Sequence, residues 1–161
     1  MSHELRRAPF LVSDDQSLLD FEVVHGFLSA CYWSTGIPRA VVEKAARHSL
    51  TLGVYHERDG GAGEQVGYAR VVTDRATYAY LCDVFIVEQA RGQGLSKLLM
   101  QAILQHPDLQ DLRRFGLFTR DAHGLYAQFG FAPSSLSGRY MERLDREVYV
   151  RPTRERSRAV N

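Results

Sequence analysis

The run Tyr78-Ala79-Tyr80-Leu81-Cys82-Asp83-Val84-Phe85-Ile86-Val87, then Arg91-Gly92-Gln93-Gly94-Leu95-Ser96, then Lys97-Leu98-Leu99-Met100-Gln101-Ala102-Ile103-Leu104, decides the fold. A nearly unbroken apolar run reads as a central strand covered on both faces. The last segment has helical spacing and is stopped by Pro107. Between them, Gly92 and Gly94 open a strand-to-helix turn. Glycines there let the backbone approach a ligand, while the first-turn N–H groups and the helix dipole favour an anion. Two readings stand: a phosphate cradle, or a tight turn with its helix end open to water. A dinucleotide G-x-G-x-x-G would need glycine where Lys97 stands, and a P-loop would need Gly-Lys-Ser/Thr.

Upstream, Leu18, Leu19, Val23, Val24, Phe27, Leu28 and Cys31 recur at helical spacing, predicting an amphipathic helix over about 16–31 with Asp14 or Asp15 as its cap. The aromatic stretch Tyr32-Trp33-Ser34-Thr35-Gly36 breaks it, and Pro38 opens a second helix to about Arg47. Residues 10–13 read as the end of a first strand. From Leu50 the period becomes two, and Gly60, Gly61 and Gly63 turn the chain into a second strand, Gln65 to Thr73. Downstream, Arg114 to Thr119 is a further strand, parallel to the central one across a right-handed helical crossover. A short helix with Leu125, Tyr126 and Phe129 ends at Gly130. The segment from Phe131 to Val150 has room for a hairpin.

Composition sets the outer bounds. A chain of 161 residues, 45% hydrophobic and 24% charged, suits one domain, taken as residues 1–150. Its 20 basic and 19 acidic residues give +1, which implies no nucleic-acid partner. Four arginines against Glu155 make residues 151–161 a basic tail at +3 and leave the body at −2. Only Cys31 and Cys82 are cysteines, no apolar segment follows the first residues, and no run approaches the ~20 residues of a membrane span. The expected setting is cytoplasmic, away from membranes. The six histidines and two cysteines show no metal-ligand spacing, so no metal site is expected.

The glycine loop gains specificity from a second segment about thirty residues on, Leu125-Tyr126-Ala127-Gln128-Phe129-Gly130-Phe131. Together they resemble the GNAT superfamily of acyl-CoA-dependent N-acetyltransferases, whose hallmarks are a Q/R-x-x-G-x-G/A loop and a later L-Y-x-x-x-G-F. The loop here reads Arg91-x-x-Gly94-x-Ser96, with Ser96 where the family has Gly or Ala. The frame Gln89-x-x-Gly92-x-Gly94 also satisfies the pattern; the Arg91 frame is preferred because it puts Leu98, Leu99 and Met100 at the apolar positions of the family's helix. The resemblance covers about residues 10–133 and implies a mixed α/β domain: a central, mostly antiparallel, splayed sheet flanked by helices on both faces.

Several roles follow from that resemblance. The backbone near Val84, Phe85 and Ile86 would pair with the pantetheine arm of acetyl-CoA like an added strand. Arg91, Gly92, Gln93, Gly94, Leu95 and Ser96 would wrap the pyrophosphate. Tyr126 would give the departing thiolate a proton or a hydrogen bond. The implied reaction is direct attack by an amine in a ternary complex; the rival is an acyl-CoA-binding module without catalysis. Tyr32, Trp33 and the C-terminal hairpin around Tyr140 would line the acceptor side, with Glu22 contributing charge, for a small amine or a peptide. A monomer or a homodimer suits the family.

Asp83 stands apart on its own chemistry. It is the only charged residue in its apolar strand, where a carboxylate is costly unless paired or solvated. It reads as the base or amine anchor, or as a structural acceptor for a neighbouring loop. Strict alternation puts it opposite the face shared by Tyr80, Cys82 and Val84, and a bulge would undo that assignment. Cys82 itself reads as core.

Overall fold

Alternating apolar residues from Leu50 onward form the first of two long central strands, β3 (Leu50–Arg58), which returns as β4 (Gly61–Thr73). The hairpin closes on Asp59 and Gly60, both at positive φ (51° and 80°), the conformation that a two-residue turn between twisted strands requires. The computed structural model describes residues 1–152, so most of the expected basic tail lies outside the described residues. Four more strands complete one sheet in sequence order: β1 (Glu4–Arg7), β2 (Phe10–Ser13), β5 (Tyr78–Ile86) and β6 (Arg114–Leu117). Every neighbouring pair is antiparallel except β5 and β6, which are joined by the crossover helix α3 (Leu95–Gln105). The sheet is curled and carries helices on both faces, as the resemblance implied.

One face holds α3 with Phe10, Val12, Leu52, Val54, Val71 and Leu81. The other holds α1 (Phe21–Ala30) and α2 (Arg39–Arg47), whose Val24, Leu28 and Val42 pack with Tyr68 and Phe85. β3 is buried from Leu50 through Tyr55, because both of its faces are covered. The first helix is shorter than its apolar spacing suggests. Asp15 caps a single turn at Gln16–Leu18, and the chain restarts at Asp20, whose side chain accepts from the Glu22 N–H at 2.9 Å and caps α1. His25, polar by its position on α1, is half-buried and bonds the Ile37 carbonyl at 3.0 Å.

Two departures shape the site. First, β5 and β6 pair only from Tyr78/Arg114 to Leu81/Leu117, although β5 continues to Ile86. The chain leaves β6 through Phe118–Asp121 toward α4 (His123–Ala127), and the two strands splay apart. Second, the expected hairpin around Tyr140 is not formed. After Phe131 the described residues hold no strand, only a helical turn at Ser137–Arg139 and further turns, the last near residues 146–150. Pro133, Ser134, Ser135, Ser137 and Gly138 favour turns, and the charged residues beyond them lack the β-branched alternation that a strand needs.

Candidate active site

The glycine loop has the geometry of an anion cradle. Gly92 and Gly94 sit at φ +78° and +71°, where a side chain would be strained, and a Cβ on Gly92 would meet nothing within 4 Å. Gly94 is the N-cap of α3 and supplies no side-chain cap; the first helical bond is Leu98 N–H to the Gly94 carbonyl at 3.1 Å. The N–H groups of Leu95, Ser96 and Lys97 are therefore left without helical partners, toward a hollow of about 240 Å³ lined by Arg91, Gly92, Gly94, Ser96 and Lys97. Leu98, Leu99 and Met100 are buried beneath it.

A larger cleft of about 620 Å³ opens where β5 and β6 part. Its floor is Tyr80, Cys82, Asp83 and Val84 of β5, and Asp83 is there because of a bulge. Tyr68 pairs with Phe85 and Arg70 with Cys82, so Asp83 and Val84 share one position opposite Ala69. Asp83 takes φ +53°, a left-handed conformation uncommon outside glycine and best tolerated by Asp and Asn. The bulge breaks strict alternation and brings Asp83 into the cleft beside Tyr80 and Cys82. There its carboxylate accepts from Arg70 Nε at 2.7 Å and from Trp33 Nε1 at 3.2 Å. The Arg70 and Asp83 side chains are only 20% and 13% exposed, so this ion pair is largely shielded.

Tyr126 of α4 lines the same cleft, while its neighbour Leu125 lines the glycine-loop hollow. One short helix thus borders both spaces. Burial raises the Tyr126 phenol above the usual tyrosine value and keeps it a proton donor. No hydrogen bond to its hydroxyl is formed among the described residues. Burial pushes the Cys82 thiol up to about 12, which leaves it protonated and unsuited to an acyl intermediate.

Residues 46–133 match the family model for an acetyltransferase (GNAT) domain. The chain belongs to the GNAT acetyltransferase family. A Gibberella zeae protein provisionally named an acetyltransferase is 31% identical over 140 residues, 76% of this chain and 78% of that protein. A crystal structure of a Xanthomonas campestris pv. campestris protein, provisionally assigned to the GNAT family, superposes with TM-score 0.81 at 49% identity, covering 87% of this chain and 96% of that one. A Deinococcus radiodurans protein shares the fold at TM-score 0.64 and 17% identity, over 91% of this chain and 94% of its own.

GNAT domains use acetyl-CoA as cosubstrate, and the residues present fit it: an open glycine cradle at a bare helix N-terminus for phosphates, and a β5 edge unpaired beyond Leu81 for an amide-bearing arm. The individual positions differ in what they offer. Arg91 turns its Nε to the Ile86 carbonyl at 3.1 Å and borders the hollow. Gln93 turns away, its amide on the Ala90 carbonyl at 3.2 Å. The Leu95 side chain is buried in the core, so only its backbone is available to a ligand. Phe85 likewise offers only backbone, its ring stacked on Phe27 at 3.9 Å. Tyr32 and Trp33 line the cleft, with Arg120 lying 4.0 Å over the Tyr32 ring. Glu22 does not line it: its carboxylate is paired with Arg39 and 81% exposed, because the first helical turn faces solvent there.

Three residues that border this cleft or hold the glycine loop escaped the sequence reading. Arg70 is the only charged residue in Gln65–Thr73, a signal visible in the sequence but not pursued. Arg7 of β1 donates to the Gln93 carbonyl at 2.6 Å and clamps the glycine loop from 86 positions away. Tyr149 reaches the cleft from the far end of the chain. Among the described residues no group of three or more His, Cys, Asp and Glu could hold a metal ion, and no helix is long and apolar enough to cross a membrane.

Proposed function

We propose that the chain, through residues 1–150 acting as one domain, transfers the acetyl group of acetyl-CoA to a primary amine by direct attack in a ternary complex. The observation that carries this reading is the meeting of Asp83, the partnerless Tyr126 hydroxyl and the splayed β5 edge in one cleft beside the glycine cradle. The amine nitrogen bonds to the thioester carbonyl carbon, the C–S bond breaks, and its electron pair leaves on sulfur. Tyr126 gives that sulfur a proton and regains one from solvent, to which the amine's own proton passes. Asp83 anchors the amine. Each of its oxygens holds one donor from the protein and keeps a further lone pair for an acceptor N–H.

The test is a melting-temperature panel with acetyl-CoA, longer acyl-CoAs and free CoA, followed by thiol release across an amine library. A site of this kind gains about 2.7 kcal/mol at a hundredfold excess over Kd, a shift of several degrees. Absence of any CoA-dependent shift rejects the reading. A CoA shift without thiol release from any amine favours a binding module instead.

A further inference from the structure

The chain beyond Phe131 runs from one wall of the cleft to the other. It starts beside the β6 wall, where the Phe131 ring lies 5.5 Å from Phe115 and 6.1 Å from Tyr126. Midway, Tyr140 leans on Phe118 of the cleft rim at 5.6 Å. It ends against the opposite wall: Tyr149 enters the cleft and packs with the apolar cluster between α1 and α2, and Val150 lies over Gly36 of the loop joining those helices. An Arg151–Asp145 ion pair and backbone bonds from Val150 and Arg151 to the Glu147 carbonyl close the end of the segment into a turn. Residues 132–148 are thus tethered on both sides and form a strap between the two walls.

We infer that this strap restricts the acceptor to a small amine with a flat apolar body and excludes a polypeptide; this rests on the transferase reading above. A polypeptide needs room for chain beyond the reacting nitrogen, and the strap occupies that exit. The cleft volume, about 620 Å³, is that of a small-ligand pocket and would be shared with the acyl end of the cosubstrate. Its acceptor half is walled by rings from separate segments: Tyr32 and Trp33, Tyr80, Phe118, and Tyr149 of the strap. The two carboxylates of the cleft, Asp83 and Asp121, are matched by Arg70 and Arg120, so the cleft offers no net negative charge to draw a linear polyamine.

Three probes test this by thiol release: 2-phenylethylamine, a ten-residue peptide with N-terminal phenylalanine, and spermidine. The phenylethylamine kcat/KM should exceed both others at least tenfold. Tyr149→Ser, which releases the strap's far anchor, should raise the peptide's own kcat/KM at least fivefold, with the acetyl-CoA melting shift unchanged. Tyr140→Ser, at a 57% exposed position, gives the same direction of change if the first variant fails to fold. Peptide or spermidine turnover equal to that of the amine overturns the inference and leaves the transferase reading intact. Release with none of the three, while CoA still raises the melting temperature, also overturns it. No release and no CoA shift overturns the transferase reading itself.

Discussion

Replacing Asp83 separates the three roles that the structure gives it: charge partner of Arg70, acceptor for the Trp33 indole, and left-handed residue of the bulge. Asp83→Asn removes the charge alone, since asparagine still accepts from an indole and tolerates φ +53°. Unpairing a fully buried charge costs about 3–5 kcal/mol, and a charged hydrogen bond is worth about 1.5–3 kcal/mol. With both side chains slightly exposed, the lower range applies and the loss is about 2 kcal/mol. Asp83→Ala also forfeits the 3.2 Å indole bond, about 0.5 kcal/mol, and places an ordinary side chain in the left-handed region, about 1–2 kcal/mol more. Its total is about 4 kcal/mol. Asp83→Gly escapes that strain and gives back about 0.5–1 kcal/mol through unfolded-chain entropy, so it should fall between the two. Urea denaturation with an unchanged m-value measures all three. An alanine variant no worse than glycine would refute the bulge argument, and an asparagine variant within about 0.5 kcal/mol of the parent would refute the value assigned to the pair.

Tyr126→Phe should lower kcat about a hundredfold with little change in the acetyl-CoA KM or in melting temperature, because the hydroxyl has no partner among the described residues to lose; unaltered turnover would remove its acid role. Since burial raises that phenol, kcat/KM should climb with pH as the acceptor amine loses its proton and show no falling limb below about pH 10. Gly94→Ala forces a side chain to φ +71° and to within 3.3 Å of Arg7, so it should cost about 1–2 kcal/mol of stability and raise the acetyl-CoA Kd at least tenfold, read by denaturation and by calorimetry. With their thiols pushed up to about 12 and about 11, Cys82 and Cys31 should resist iodoacetamide at pH 8, and Cys82→Ala should keep acetyl transfer; labelling as fast as free cysteine would contradict the burial argument.

The order of elements from Leu50 to Gly130 was legible because each is announced locally: alternation in β3, an unbroken apolar run in β5, glycines before α3 and after α4. β1 was not, because Glu4, Arg6 and Arg7 form an exposed edge strand with no buried face to impose a pattern. Nor was the face of Asp83. Its side is set by how β4 registers against β5, with two residues accommodated opposite Ala69, and no property of residues 78–87 alone reports that.

The same distinction explains why the glycine loop left a plainer mark in the sequence than the wider cleft. The loop is one continuous stretch, Arg91–Lys97, shaped by backbone conformation, and backbone conformation leaves glycines in the sequence. The acceptor cleft is assembled from segments far apart in the chain, Tyr32–Trp33, Arg70, Tyr80–Val84, Phe118–Ala122, Tyr126 and Tyr149, joined by one bulge and one splay. Apart from Asp83 and Arg70, lone charges in apolar runs, each of those side chains taken alone reads as ordinary core or surface. It follows that acceptor preference can change through the strap or the Tyr32–Trp33 loop, at positions outside the glycine cradle, while Gly92, Gly94 and the bare end of α3 stay as they are.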